Sequence, residues 1–178
     1  MTTVQQVYEV MQRLAPPELA EHWDNPGLLV DCGGNVRRVL VTLDITPEVV
    51  EEAAAKQCTI IVAHHPVIFD PLKRLCPADV PYQLVQAGIS AICMHTNLDV
   101  APGGVNDALA AALGLEDPGP LGDPEGLCRM GTLASPMPLQ EFAKHVCRAL
   151  QANGVRYAGD SGPVRKVAVG GGACGDYE

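Results

Sequence analysis

The chain has 178 residues, a mass of 18.8 kDa and a formal net charge of −9 with its histidines neutral. That length fits one domain, or one and part of a second. With 47% hydrophobic and 19% charged residues the chain can bury a core. An acidic chain with no Lys/Arg block argues against a general nucleic-acid or anionic-membrane binder, and 4% aromatic residues argue against a base-stacking surface. The apolar runs are too short and too interrupted for a transmembrane helix, and the opening MTTVQQVYEVMQRL lacks the basic start and apolar stretch of a signal peptide.

Seven cysteines, Cys32, Cys58, Cys76, Cys93, Cys128, Cys147 and Cys174, are an odd and widely spaced set with no C-x-x-C. This disfavours a disulfide framework and a thiolate zinc site, and it points to a reducing cytoplasm.

In chain order, Val4, Val7, Tyr8, Met11 and Leu14 share a helical face, with Thr2 or Thr3 as the cap and Pro16-Pro17 as the stop. A loop, EHWDNPGLLVD, follows. The run 36–44 reads as a buried strand, and Thr46-Pro47-Glu48 starts a helix that runs to about Lys56. A strand over 58–65 ends at Pro66. A helix near 79–87, closed by Gly88, precedes a strand over 89–96. After the loop NLDVAPGG, a helix runs from about Val105 to Leu113 and is capped by Gly114. Apolar strands separated by helices predict an α/β fold with a parallel sheet covered on both faces.

The Gly/Pro/Asp-rich stretch 114–126 then breaks the pattern and marks a boundary between a first half, 1–115, and a second, 116–178. Beyond it we expect a strand near 127–134, a helix near 139–151 with Leu139, Phe142, Ala143, Val146 and Leu150 inward, and strands at 155–159 and 164–172. VRRVLV at 36–41 is echoed by VRKVAV at 164–169, which reads as a faint internal repeat whose second copy is incomplete.

Four polar groups fall at the C-terminal ends of the predicted parallel strands: Asp44, the pair His64-His65, His95, and Asp99 four residues on. Ligands bind at that edge of an open parallel sheet. Imidazole with carboxylate suits zinc, manganese or iron(II). Adjacent strand residues point to opposite sides, so His64 and His65 serve two ions better than one. Two ions take about five or six protein ligands, which is more than these residues supply. The plainer readings stand beside this one. His64 and His65 would then be one packed and one solvated histidine, and Asp99 and Asp44 would be turn or cap residues. Gly170-Gly171-Gly172 reads as a turn, and Trp23-Asp24-Asn25-Pro26-Gly27 as either a pocket wall or a turn with a packed Trp.

The segments EHWDNPGLLVD, VTLDITPEVVEEA, IIVAHHPVIF, MHTNLDVAPGGVNDALAAALGL and VAVGGGACG, in this order, resemble the family of GTP cyclohydrolase type 2 homologues. These are also called Nif-three-like (NGG-one-interacting factor three) dinuclear metal centre proteins. The resemblance implies a three-layer α/β/α fold of two similar, intertwined halves, assembled as a homohexamer around a cavity. It implies two divalent metal ions (zinc, manganese or iron), with His64, His65 and Asp99 as the ligands this chain contributes and His95 in a supporting role. It also implies, for the full-length protein, hydrolysis of a nucleotide or small phosphorylated substrate by a metal-bound hydroxide, and the present chain, read as partial, is expected to be inactive. The alternative is a non-catalytic hexameric metal-binding or scaffold protein. The family's remaining ligands lie in a His-x-x-x-Glu segment after the VAVGGG-type strand. Glu178 is not its equivalent, so the sequence is read as a partial member with half a metal site.

Overall fold

The computed structural model describes residues 1–122, 126–160 and 162–174. The chain divides into two compact units, Met1–Ala101 and Pro102–Glu178.

The first unit opens with β1 (Thr2–Thr3) and α1 (Val4–Leu14). Thr3 and Gln6 cap α1 reciprocally: the Gln6 N–H donates to Thr3 Oγ1 at 3.2 Å and the Thr3 N–H to Gln6 Oε1 at 2.9 Å. The helix stops at Ala15, because Pro16 disfavours helical backbone in the residue before it. A 3₁₀ turn (Pro17–Leu19), β2 (Gly27–Val30), β3 (Asn35–Val36) and β4 (Val39–Thr42) follow. Then come α2 (Pro47–Ala55), β5 (Ile60–Ala63), α3 (Val80–Ala87), β6 (Ser90–Cys93) and α4 (Thr96–Val100). Thr46 caps α2 by accepting from the Val49 N–H, and Pro47 takes the first helical position.

The main sheet has the order β2-β6-β5-β4. β4, β5 and β6 are parallel, with Val39 beside Ile60 and Ile60 beside Ser90. β2 adds an antiparallel edge that the sequence reading leaves as loop. Every residue of β5 and β6 is buried, because helices cover both faces of these two strands. Ile61 and Ala91 pack with Val50, Ala53 and Leu84 of α2 and α3. Ile60, Val62 and Ile92 pack with Val4, Val7 and Met11 of α1. The unit is therefore layered α/β/α. Leu14, expected on the inward face of α1, is exposed. β4 is less well covered: Val41 is 77% exposed, and a groove of about 330 Å³ runs between α1 and β4 to His64.

The second unit contains α5 (Val105–Ala112), β7 (Leu115–Pro120), β8 (Arg129–Pro138), α6 (Leu139–Ala149) and β9 (Pro163–Val169). Its sheet is antiparallel, in the order β7-β8-β9. Ala110 and Leu113 from the α5 end and Phe142, Val146 and Ala149 from α6 pack on Leu115, Leu133 and Val167. Asn106 is fully buried. Its amide donates to the Leu127 carbonyl and accepts from the Gly171 N–H, both at 2.7 Å, which satisfies three polar groups at once.

Three expectations for this unit are corrected. The stretch read as a break contains the strand β7. Pro118 and Pro120 are tolerated because β7 is an edge strand with a register shift between Glu116 and Gly119 and Asp117 at a φ of 48°. Residues 155–159 form no strand. They run exposed along the surface, and β8 pairs with β9 directly. Leu150, expected inward, is exposed.

Arg129, 8% exposed at its side chain, donates from Nε to Asp107 Oδ1 at 2.6 Å. Burial pushes the Asp107 carboxyl up. The Gly103 N–H and Arg129 outweigh it and hold it below its ordinary value of 3.8. A depressed carboxyl contributes stability above its unfolded-chain value and loses it as pH falls through the folded one. Asp107→Asn is therefore expected to lower the urea midpoint at pH 7, with the gap to wild type closing in acid. Ile61→Ala, at a fully buried site, is expected to cost about 2–5 kcal/mol in urea unfolding. Val41→Ala, at an exposed site, should stay within about 0.5 kcal/mol.

Candidate metal centre

The site lies where β5 and β6 end. The backbone ladder runs past β5: the His64 N–H donates to the Thr42 carbonyl at 3.3 Å and the His65 N–H to the Leu43 carbonyl at 3.0 Å. Pro66 has no N–H to continue it. His95 is separated from the end of β6 by Met94 alone and stands at the head of α4.

The segment read as a loop after His95 is a one-turn helix. The Asp99 N–H donates to the His95 carbonyl at 3.1 Å. Residues four apart on a helix lie on one side, which is why His95 and Asp99 come to the same place. The Asn97 amide donates to the Ala15 carbonyl at 2.8 Å, tying this turn to the end of α1.

His64, His65 and His95 bring one ring nitrogen each to within 4.8 Å of one another. The ring centroids are 5.1 Å apart for His64 and His65, 5.2 Å for His64 and His95, and 5.7 Å for His65 and His95. The adjacent pair therefore does not diverge as regular strand residues would. The strand has ended at Ala63, and the pleat no longer sets the side-chain directions.

Each ring is held at Nδ1. His64 Nδ1 lies 2.9 Å from the Met94 carbonyl oxygen, which only accepts, so Nδ1 carries the proton. His65 Nδ1 is 2.7 Å from Asp44 Oδ1 and His95 Nδ1 is 2.8 Å from Asp24 Oδ1. These partners assign the same tautomer to all three rings and leave Nε2 with its lone pair outward. Metal-binding histidines are held in this way, by a carbonyl or carboxylate on the second nitrogen.

Asp99 lies beside His64. Its Oδ1 lies 3.7 Å from His64 Nε2, the residue is 6% exposed, and that oxygen has no hydrogen-bond donor. Burial pushes its carboxyl up, against the pull of His64 and His95. A buried carboxylate oxygen without a donor is costly unless a cation meets it. Three imidazoles with Nε2 outward and an unpartnered oxygen fit a divalent ion of the zinc, manganese or iron class. Cys93 is close by, with its thiol donating to the His64 carbonyl. Burial pushes it up to about 12, so it stays a thiol.

His95, which spacing placed at the same sheet edge and the resemblance gave a supporting role, has its ring within the cluster. Asp24, read as part of a pocket wall or turn, has a fully buried side chain. It accepts from His95 Nδ1, the Thr96 N–H and the Thr96 hydroxyl, and that hydroxyl in turn accepts from the Glu21 N–H. Burial pushes the Asp24 carboxyl up, but these donors prevail and hold it below the usual range. The only local signal for Asp24 was a carboxylate beside an Asn-Pro-Gly turn; its partners lie 71 and 72 residues away. Glu178 lies outside the described residues.

Residues 2–178 match the family model described as Duf34/NIF3 (NGG1p interacting factor 3). The chain is 36% identical over 179 residues to the NGG1-interacting factor 3 of Saccharomyces cerevisiae, covering 83% of this chain and 62% of that protein. It is 36% identical over 188 residues to a GTP cyclohydrolase 1 type 2 homolog of Streptomyces coelicolor, covering 97% of this chain and 66% of that one. Among solved structures it is similar to a hypothetical protein of Staphylococcus aureus, with a TM-score of 0.91 at 29% identity, covering 99% of this chain and 74% of that chain. A Bacillus cereus protein related to NIF3 gives a TM-score of 0.87 at 25% identity, with 98% and 78% covered. The match spans 62% of the yeast protein and 32% of a Staphylococcus epidermidis homolog, less than two thirds of either. The motifs, the α/β fold and the family match agree, and the chain belongs to the Duf34/NIF3 family.

Proposed function

We propose that the protein is a divalent-metal-dependent hydrolase acting on a nucleotide or small phosphorylated substrate, with His64, His65 and Asp99 as metal ligands and His95 beside them. One observation carries the reading: three imidazoles, each held at Nδ1, cluster within 4.8 Å, and a buried Asp99 oxygen with no donor lies 3.7 Å from His64 Nε2. The bacterial relatives' name, GTP cyclohydrolase 1 type 2 homolog, supports the substrate class. A divalent ion in such a site supplies Lewis acidity and lowers the pKa of water to roughly 7.

The chain's own groups have distinct tasks. Asp99 contributes negative charge where burial makes it count. The Met94 carbonyl, Asp44 and Asp24 hold the rings at Nδ1, which leaves Nε2 as the lone-pair nitrogen of each neutral imidazole. His65 and Asp44 are half exposed and form the open side. We infer two ions per site and a hexameric assembly, both implied by the family resemblance. The remaining ligands are then left to the His-x-x-x-Glu segment that the same resemblance implies.

A second reading is a non-catalytic metal-binding or interaction protein. The yeast relative's name, NGG1-interacting factor 3, favours it. Elemental analysis and turnover on one sample separate the two readings. The hydrolase reading expects turnover of a nucleotide or phosphoester panel that tracks manganese or zinc content. Tightly held ions with no turnover above the metal-free control would favour the second.

His64→Ala and Asp99→Ala are each expected to weaken manganese or zinc binding in calorimetry at least tenfold. His145→Ala is expected to leave it unchanged, because that ring is engaged with the Leu113 carbonyl at 2.9 Å. Asp24→Asn should weaken binding about 10–100-fold by loosening His95.

A further inference from the structure

Composition argues against a base-stacking surface, yet two of the chain's few aromatic side chains meet beside the histidines. Trp23 and Phe69 have ring centroids 6.1 Å apart at an interplanar angle of 47°. Trp23 also meets His95 edge-on, at 6.4 Å and 79°. Both aromatic residues are about half exposed, at 51% and 48%.

That exposure is held in place by the flanking residues. Asp24, next to Trp23, is anchored with its side chain fully buried. Asn25 donates from its amide to the Ile68 carbonyl at 2.7 Å, joining the Trp23 loop to the residue before Phe69. The backbone therefore fixes both rings where half of each meets water. Leaving large apolar rings in water forfeits hydrophobic stabilisation.

We propose that Trp23 and Phe69 form a stacking surface for a planar heteroaromatic ring of the substrate, placed one imidazole away from the metal ligands. This rests on the reading of the site as a metal centre for a nucleotide-like substrate, and it assigns recognition of the ring to these two residues. Aromatic faces accept any flat heterocycle, so affinity comes from the ring and discrimination among rings from elsewhere. His95 links the two parts. Its ring contacts Trp23 at one edge and lies within the imidazole cluster on the other side.

Trp23 is the only tryptophan in the chain, so intrinsic fluorescence reports on this ring alone. The test titrates the manganese-loaded protein with a purine nucleoside monophosphate and, separately, with ribose 5-phosphate. The expected result is saturable quenching by the purine compound and none by the sugar phosphate. Phe69→Ala keeps the reporter and should weaken the purine affinity about tenfold, with manganese affinity unchanged in calorimetry. Absent quenching, equal quenching by ribose 5-phosphate, or unaltered affinity in Phe69→Ala would each overturn the proposal. Purine quenching that persists in a protein found not to bind manganese would reject the metal reading and leave the stacking surface standing. Manganese binding without quenching would do the reverse.

Discussion

A neutral imidazole has one donor and one lone pair, and everything at this site depends on which nitrogen carries which. The Met94 carbonyl, Asp44 and Asp24 each take the Nδ1 proton of one ring. With that choice made three times, three Nε2 lone pairs remain for a cation. An unheld ring would sample both tautomers and several rotamers, and ordering it on binding would cost entropy. The fixed rings meet that cost during folding. The same restraint bears on Asp99, whose buried Oδ1 has no hydrogen-bond donor among the described residues and lies 3.7 Å from His64 Nε2.

The fold delivers these groups through ordinary means. Parallel pairing of β4, β5 and β6 aligns their ends, so that Asp44, His64 and His95 emerge along one edge. Helices on both faces bury β5 and β6 completely, which fixes the heights of those ends to within side-chain reach. α4 then turns back within one helical turn and returns Asp99 to the neighbourhood of His95. Local and long-range preferences agree here, as expected for a sequence that specifies one structure.

Much of this could be read from residue order. The capping Thr3, the Thr46-Pro47 start and the apolar runs 60–63 and 90–93 carry local signals, and each lies within a predicted element. That Asp44, the His64-His65 pair and His95 reach one edge follows from parallel strands; the return of Asp99 needs α4, which was read as loop. What was hidden depends on contacts remote in sequence or on tolerance at an edge. β7 contains two prolines that a central strand would reject, so its composition resembles a loop. Residues 155–159 carry strand-like residues, but β8 spends its pairing on β9 instead. Asp24 looks like a turn residue until the backbone sets it against His95. The exposure of Leu14 and Leu150 shows that helical period alone does not say how far a covering layer extends.

The Asp24 tether has a kinetic corollary. The carboxylate that orients His95 comes from a segment preceding every strand of the parallel core, whereas the imidazole arrives with the last of them. The third ring can thus be locked only after both distant stretches of polypeptide have met. On the proposed metal reading, the first two imidazoles should offer a weak, early cation site during refolding, and full affinity should appear as a separate, later event. The ion would then act as a stopwatch for closure of the amino-terminal loop.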